Sequence, residues 1–332
     1  MLFTIPYNGS DPERFLAAFE PHAKQIHSFY FGLQSLIPAH NPDHGMSVIQ
    51  IAQSYENTLK FLELCKGRFQ TVLCINALIY PQNIEVKRFQ ITRALAPLVD
   101  EFGLTAVNVA SSTIAQIIHE TFPELDIQTS CNTYAFIDNV YHLWHEKFGT
   151  TVFNLPREAM RTPSLLERVK AMGYISKCIV NEACIYGCPA NIEHACAQSF
   201  PMPTIQNFCD RPDYRLSDIL KSNFIPPHRL PEFEGRIDIA KIAGRGFSTE
   251  WICKAFEAYR TANPNADIMD VLQGRCRRII HESGILMKAR DWPKKTLTCE
   301  CKECKTCNVC QKAMEHIVKV SKVDPSQLAR AI

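Results

Sequence analysis

The chain has 332 residues, a formal net charge of +2, 46% hydrophobic residues and 21% charged residues. This balance is ordinary for a globular protein and excludes a disordered chain, a collagen-like repeat and a coiled coil. It also gives no electrostatic argument for DNA binding. The unusual residue is cysteine, of which there are 15.

Short apolar runs alternate along the chain with longer segments of helical spacing. The clearest is Val48–Leu64, in which Ile51, Tyr55, Leu59 and Leu62 fall on one face. The predicted strands are Leu2–Pro6, Ser28–Leu33, Thr71–Ala77, Ala106–Ala110, Ile127–Cys131, Thr151–Leu155, Lys177–Asn181 and Ile237–Ile242. The other predicted helices are Ile84–Ala96, Ser112–Thr121, Ile137–Phe148, Ser164–Met172, Ser248–Ala262, Asp267–Glu282 and Gln311–Val320.

This strand–helix order predicts an α/β fold with parallel strands joined by right-handed crossovers. Eight units predict a (β/α)8 TIM-like barrel with a C-terminal helical and cysteine-rich extension. The alternative is a doubly wound open sheet, which is weakened because no GxGxxG motif follows the first strand. We expect the barrel over residues 1–247, helices packed on it over 248–290, and a metal-binding segment with a short helix over 291–332.

The cysteines point to a reducing compartment. Residues Met1–Phe15 lack the basic and apolar regions of a secretory signal, and no window of the sequence is apolar enough to span a membrane. We therefore expect a cytoplasmic protein without a membrane span, in which clustered cysteines serve metal or redox chemistry rather than disulfides.

The first cysteine group follows the seventh predicted strand. Cys184 and Cys188 are separated by three residues, in a loop containing Gly187 and Pro189. Such a loop can turn two thiolates toward one metal, and the carboxyl ends of barrel strands are where active sites lie. Further candidate ligands are Cys209 and Cys196. Five other cysteines are expected to be small buried hydrophobes: Cys65, Cys74, Cys131, Cys253 and Cys276.

The second group lies near the end of the chain. Cys301, Cys304, Cys307 and Cys310 are each separated by two residues. Closely spaced CxxC steps are typical of iron–sulfur ligation, whereas structural zinc sites use two more distant pairs. Zinc remains the alternative in this segment, and a tail of oxidisable thiols is the reading without a metal.

Polar residues at the ends of several strands could line one pocket. Because Arg157 and Arg245 can clamp carboxylates bidentately, the set favours a small anionic substrate. The candidate catalytic residues are Arg157, Glu158, Asn181, Glu182, Lys241 and Arg245. The candidate cofactor-binding residues are Asn76, Ser130 and Asn132.

Five short motifs, in order along the chain, resemble those of the collagenase-like peptidases, peptidase family U thirty-two. They are Phe122–Thr133, Leu155–Glu158, Val180–Pro189, Phe224–Leu230 and Lys241–Arg245. Ala243 departs from the family pattern, because the last motif usually has glutamate at this position.

The resemblance implies more than the peptidase name. Members of the family include factors for oxygen-independent hydroxylation in ubiquinone biosynthesis or on RNA, with a [4Fe-4S] cluster on four cysteines and prephenate as a hydroxyl donor. It implies that Cys184 and Cys188 are cluster ligands, that Cys209 is a third, and that Cys196 or a tail cysteine is the fourth. The tail could hold a second cluster.

The sequence-based hypothesis is therefore an iron–sulfur oxidoreductase that hydroxylates a small anionic or RNA-borne substrate. The alternatives are a peptidase or hydrolase of the same family and a non-catalytic iron–sulfur partner subunit. A homodimer or a second family member is the expected protein partner. Basic residues between Lys288 and Lys305 could bind RNA phosphates, although the acidic residues interspersed among them favour a solvated charged face.

Overall fold

The computed structural model describes residues 1–33, 47–80, 83–199, 214–297, 299, 306–324, 326 and 328. Of the candidate metal ligands, Cys209, Cys301 and Cys304 lie outside the described residues.

Eight parallel strands form a closed barrel in sequence order, which confirms the (β/α)8 prediction and excludes the open sheet. The pairing of Thr4 with Lys241 joins the first strand to the last. The strands are β1 (Leu2–Pro6), β2 (Ile26–Phe31), β3 (Gln70–Ile75), β4 (Ala106–Val109), β5 (Asp126–Thr129), β6 (Val152–Asn154), β7 (Ile175–Ile179) and β8 (Ile239–Lys241).

Helices surround the barrel and continue beyond it. They are α1 (Pro12–Phe19), α2 (Val48–Cys65), α3 (Ile84–Asp100), α4 (Ser112–Thr121), α5 (Asp138–Phe148), α6 (Pro163–Ala171), α7 (Asn191–Ser199), α8 (Thr249–Arg260), α9 (Ile268–Val271), α10 (Arg275–Glu282) and α11 (Val309–Val320). The short α1 was not predicted, yet its start is well determined because the Asp11 carboxylate accepts hydrogen bonds from the amides of Glu13 and Arg14.

The prediction of one continuous helix over Asp267–Glu282 is wrong. The chain is extended between α9 and α10, where the Gln273 amide donates to the Asn181 carbonyl and the Gln273 carbonyl accepts from the Ala183 amide, both at 2.9 Å. Gly274 has a φ of +108°, which a residue with a side chain rarely adopts. Pairing with the segment after β7 therefore replaces helical hydrogen bonds, and no local pattern signals it.

The main apolar core lies between the strands and the helices. Tyr7 of the β1 end stacks on Phe61 of α2 with ring centroids 3.9 Å apart, and Phe3 meets Phe256 of α8 edge to face at 5.3 Å. Helix α8 thus covers β1 directly. The division of the chain at residues 247 and 290 stays a prediction.

The inside of the barrel, by contrast, is strongly polar. Several side chains hydrogen-bond across an intervening strand and must therefore face the lumen: Lys177 Nζ of β7 donates to Gln128 Oε1 of β5 at 2.7 Å, and Lys241 Nζ of β8 lies 3.4 Å from Asn154 Oδ1 of β6. Barrels of this class are usually filled by branched apolar residues. The small apolar lumen cluster here is limited to Tyr30, Val72, Cys74 and Ala106.

Among the described residues, no helix combines the length and apolarity that crossing a membrane requires.

The buried Lys177 amine makes stability depend on pH. Burial, reinforced by the charge of Lys241, lowers the pKa of Lys177 from 10.5 to about 7. Between pH 7 and 10.5 the unfolded chain binds the extra proton, so the free energy of unfolding rises with pH through this window. We expect Lys177→Met to stabilise the protein most at pH 7 or below, with a gain that shrinks toward pH 10.5.

Urea unfolding of the wild type and variant across this range measures the effect. Lys147→Met, which removes an exposed lysine of α5, is the matched control and should show no such trend. A difference between Lys177→Met and wild type that is constant with pH would contradict the assignment.

Candidate active site at the carboxyl ends of the strands

A buried ion pair lies at the carboxyl ends of β5, β6 and β7. Arg157, directly after β6, donates from Nε to Glu182 Oε2 at 2.6 Å and from Nη1 to Asn132 Oδ1 at 2.9 Å. The two charged side chains are only 9% and 20% exposed. Three predicted site residues from three strand ends are therefore brought together, with the guanidinium plane fixed on two sides.

Glu158 lies beside this ion pair, and only one of its two carboxyl oxygens accepts a hydrogen bond. Its Oε1 accepts a hydrogen bond from Asn191 Nδ2 at 3.1 Å, whereas its buried Oε2 has no hydrogen-bond partner. Burial raises the pKa of Glu158, and the nearby charge of Glu182 acts in the same direction while Arg157 opposes it. A carboxyl of this kind can hold a proton at a higher pH than an ordinary glutamate.

Tyr134 also lies at the carboxyl ends of the strands, which together form the mouth of the barrel. Sequence reasoning missed this residue. Its backbone is left-handed, with a φ of +51°, and its hydroxyl donates to the Asn191 carbonyl at 3.1 Å. Such a conformation in a bulky residue is kept only where surrounding contacts hold it, often at functional sites. Tyr134 has no motif signature that would have revealed it.

Cys184 and Cys188 lie in the loop after β7, and both are half-buried. The Cys184 carbonyl accepts from the Asn223 amide at 2.7 Å, which fixes the loop against the β7–β8 connection. Burial raises the pKa of the Cys184 thiol, and the Glu182 charge raises it further. This thiol is therefore protonated near neutral pH unless a cation is bound to it.

The described residues do not by themselves form a metal site. No three cysteine, histidine, aspartate or glutamate side chains within the described ranges converge where one ion could be held. Cys196 lies half-buried on α7, and Cys307 and Cys310 lie half-buried at the start of α11. Neither a [4Fe-4S] cluster nor zinc therefore has a complete ligand set in this part of the chain, and both stay predictions.

Four of the five cysteines that were expected to be buried are buried in the structure. Cys65, Cys74, Cys131 and Cys276 are buried, and Cys253 is half-buried. The Cys276 thiol on α10 donates to the Ala183 carbonyl, the residue before Cys184, at 3.1 Å. Among the described cysteines no disulfide is formed.

Asn181 is at the centre of the mouth but is fully buried. Its Nδ2 donates to the carbonyls of Ala243 and Val271 at 2.8 and 3.1 Å, and its Oδ1 accepts from the Ala243 amide at 2.6 Å. The side chain thus joins the segments after β7 and after β8 to the last residue of α9. This arrangement positions other residues and leaves no side-chain atom facing a substrate.

Lys241 and Arg245 form the positively charged side of the mouth. Lys241 Nζ lies 4.3 Å from the ring centroid of Tyr30, and the Arg245 guanidinium carbon lies 5.7 Å from the same ring. A Cβ at Gly32 would lie 2.3 Å from Arg245 Nη1, so a side chain there would displace the guanidinium group. Both cations lie next to β1 and β2, on the side of the barrel opposite β5.

The remaining candidates occupy different environments. Asn76 is 9% exposed after β3, and its buried Oδ1 has no hydrogen-bond partner. Ser130 is buried, and its hydroxyl accepts from the Asn132 amide at 3.2 Å, so it shapes the turn that carries Asn132. Of the two, Asn76 has the polar atom that a ligand could use.

Lys177, Gln128 and Tyr30 were also missed. For Lys177 a signal was present in the sequence, because this lysine lies in the middle of the short strand β7. A charged residue in the middle of a buried strand is rare and merits a functional interpretation.

Comparison with known proteins supports the resemblance. No family model matches the chain. A curated protein named "Uncharacterized protease MJ1657", from Methanocaldococcus jannaschii, is 32% identical over 162 residues, which cover 45% of this chain and 47% of the relative. The match therefore spans about half of that protein's length.

Two solved structures are also similar. "The Structure of the U32 Peptidase Mk0906" matches 74% of this chain and 94% of its own, with 12% identity and a TM-score of 0.49. "Crystal structure of a putative dehydratase from Mesorhizobium loti" matches 53% of this chain and 47% of its own, with 13% identity and a TM-score of 0.34. The chain is thus similar to one protein with a protease name and to one solved structure titled as a U32 peptidase, in agreement with the resemblance found in the sequence, and neither name mentions a hydroxylase.

The contacts of Asn181 predict a role in stability. Asn181→Ala removes three buried hydrogen bonds, and at about 1 kcal/mol each, or more where a buried group loses its partner, we expect a loss of about 3 kcal/mol in the free energy of unfolding. Thermal and urea unfolding measure it, with the exposed Asn139→Ala as the control. Unchanged stability together with lost activity would instead indicate direct catalysis by Asn181.

Proposed function

We propose that the chain is an enzyme that hydrolyses an amide or peptide bond of a small anionic substrate by general acid–base catalysis at the mouth of the barrel. The observation that carries the proposal is the pair of carboxyls beside Arg157: Glu182 is ion-paired, whereas Glu158 is buried with a raised pKa and an Oε2 atom without a partner. Two carboxyls in such different environments suit a base and an acid.

The chemistry follows from the two environments. Glu182, ion-paired with Arg157, accepts a proton from a water molecule whose oxygen attacks the substrate carbonyl carbon. Glu158 gives its proton to the leaving nitrogen as the carbon–nitrogen bond breaks. Arg157 keeps the base in place and attracts the negative charge that develops on the carbonyl oxygen.

The surroundings support this class of substrate. Lys241 and Arg245 give the mouth cationic groups that attract a carboxylate, such as the terminus of a short peptide. The relative from Methanocaldococcus jannaschii is itself named as a protease. Among the described residues a nucleophilic mechanism is less well supported, because the Cys184 thiol has a raised pKa.

The test is substitution of the acid. Glu158→Gln keeps the shape of the side chain but cannot donate the acidic proton, so we expect a loss of about 10²–10⁴-fold in kcat. The wild-type rate should fall as the pH rises through the pKa of Glu158, at a higher pH than for an unperturbed glutamate. Release of amines from a library of short peptides, followed by mass spectrometry, provides the assay.

Glu146→Gln, at an exposed position of α5, is the matched control and should retain wild-type activity. Full activity of Glu158→Gln, or its pH profile unchanged from that of the wild type, would remove Glu158 as the acid.

The second candidate is the iron–sulfur hydroxylase of the sequence-based hypothesis. One observation favours it: Cys184 and Cys188 are close enough for their charges to interact, at the same mouth. The described residues supply only this part of a ligand set, so we derive no reaction step from a cluster. An RNA substrate, a homodimer or second-subunit partner and a cytoplasmic location likewise stay predictions.

This candidate predicts a metal content. Protein purified without oxygen should contain four irons and matching sulfide if one [4Fe-4S] cluster is bound, and Cys184→Ser should lose them whereas Cys65→Ser should not. Twice that iron would indicate a second cluster in the tail, and zinc alone would indicate a structural site there. Iron and zinc both absent would leave hydrolysis as the supported function.

A further inference from the structure

Two lysine side chains are buried inside the barrel with no carboxylate bound to either of them. Lys177 is 2% exposed and Lys241 is 6% exposed. Within the described residues neither ammonium group has an ion pair with a carboxylate, and their hydrogen-bond acceptors are the neutral Gln128 Oε1 and Asn154 Oδ1. Removing an ammonium from water without a bound anion costs several kcal/mol. The lowered pKa of Lys177 relieves part of this cost by release of its proton, and a bound anion would relieve it while both lysines stay charged.

The nearest lumen carboxylate is committed elsewhere. Asp126 acts on Lys177 only through its charge, and its Oδ2 accepts hydrogen bonds from Gln128 Nε2 at 2.7 Å and from Gln70 Nε2 at 3.3 Å. The lysines instead contact neutral groups: Gln128 Oε1 for Lys177, and Asn154 Oδ1 with the Tyr30 ring for Lys241.

A third donor in the same layer lacks a partner. Asn154 is 2% exposed, and its Nδ2 is buried without a hydrogen bond. Asn154 lies beside Lys177 in the register of β6 and β7, and Lys241 lies one lumen-facing position further along, on β8. Three consecutive strands therefore present two ammonium groups and one amide N–H to the same part of the lumen.

We propose that this part of the lumen is a binding site for the carboxylate group of a small organic acid, held by Lys177, Lys241 and Asn154. The anion would compensate both ammonium charges and accept a hydrogen bond from Asn154 Nδ2. A neutral ligand could accept the hydrogen bond but could not compensate the charges. The proposal extends the proposed function by locating a carboxylate of the ligand. It does not depend on hydrolysis by Glu158 and Glu182.

Asn154→Asp gives a sharp test, because it places a carboxylate of nearly the same shape between the two ammonium groups. We expect this variant to unfold at a higher temperature than the wild type without any ligand, and to bind acetate and succinate at least tenfold more weakly. Lys241→Met and Lys177→Met should also bind acetate and succinate at least tenfold more weakly, because each variant lacks one of the two ammonium groups.

Calorimetric titration and thermal unfolding of the full chain with acetate, succinate and inorganic phosphate measure both effects. Asn139→Asp adds the same charge at an exposed position of α5 and should leave the binding of the acids unchanged. Glu158→Gln should bind the acids as the wild type does, which separates this site from the acid–base chemistry.

Three results would overturn the proposal. They are the absence of saturable acetate or succinate binding to the wild type, a destabilised Asn154→Asp variant that binds the acids normally, and binding of phosphate alone. The last would indicate an anion site that is not one for carboxylates.

Discussion

The side-chain amide of Asn181 is the interaction on which the mouth of this barrel depends. It bonds to the backbone of Ala243 after β8 and of Val271 at the end of α9, while its own backbone carbonyl accepts from Gln273. The loop with Glu182 and Cys184 begins at the next residue, so the positions of both follow from this buried amide. A fully satisfied polar contact of this kind fixes one arrangement because every alternative leaves buried groups unpaired.

Electrostatics divide the interior into two regions. At the carboxyl ends of β5 to β7 a guanidinium is neutralised by a carboxylate, and a second carboxyl beside it has a raised pKa. Within the lumen the balance is reversed, because Lys177 and Lys241 each contact a neutral side-chain amide. An enzyme that binds an anion and moves protons next to it needs both kinds of environment within one barrel.

Most of the fold could be predicted from the sequence, because local patterns determine it. All eight strands were predicted within a few residues, and eight strand–helix units have few ways to close other than a barrel. The helix over Asp267–Glu282 was predicted wrongly because the pairing of Gln273 with Asn181 and Ala183 is a contact between distant parts of the chain. Of the candidate site, Arg157, Glu158, Glu182 and Asn132 were found from their positions at strand ends. Tyr134 was not, because a left-handed backbone has no signature in a tyrosine, and Lys177 was not, because its neighbours in the lumen come from other strands.

The extended segment between α9 and α10 has a consequence for the modularity of the protein. A chain cut after α8 would retain eight strands and their covering helices, yet it would lose Val271 and Gln273, the backbone partners of Asn181. The barrel could close, but the loop that carries Glu182 and Cys184 would lose one of its supports. Barrel and extension would therefore have to be recombined as one unit, because a cut between them would separate the loop that carries Glu182 and Cys184 from its support.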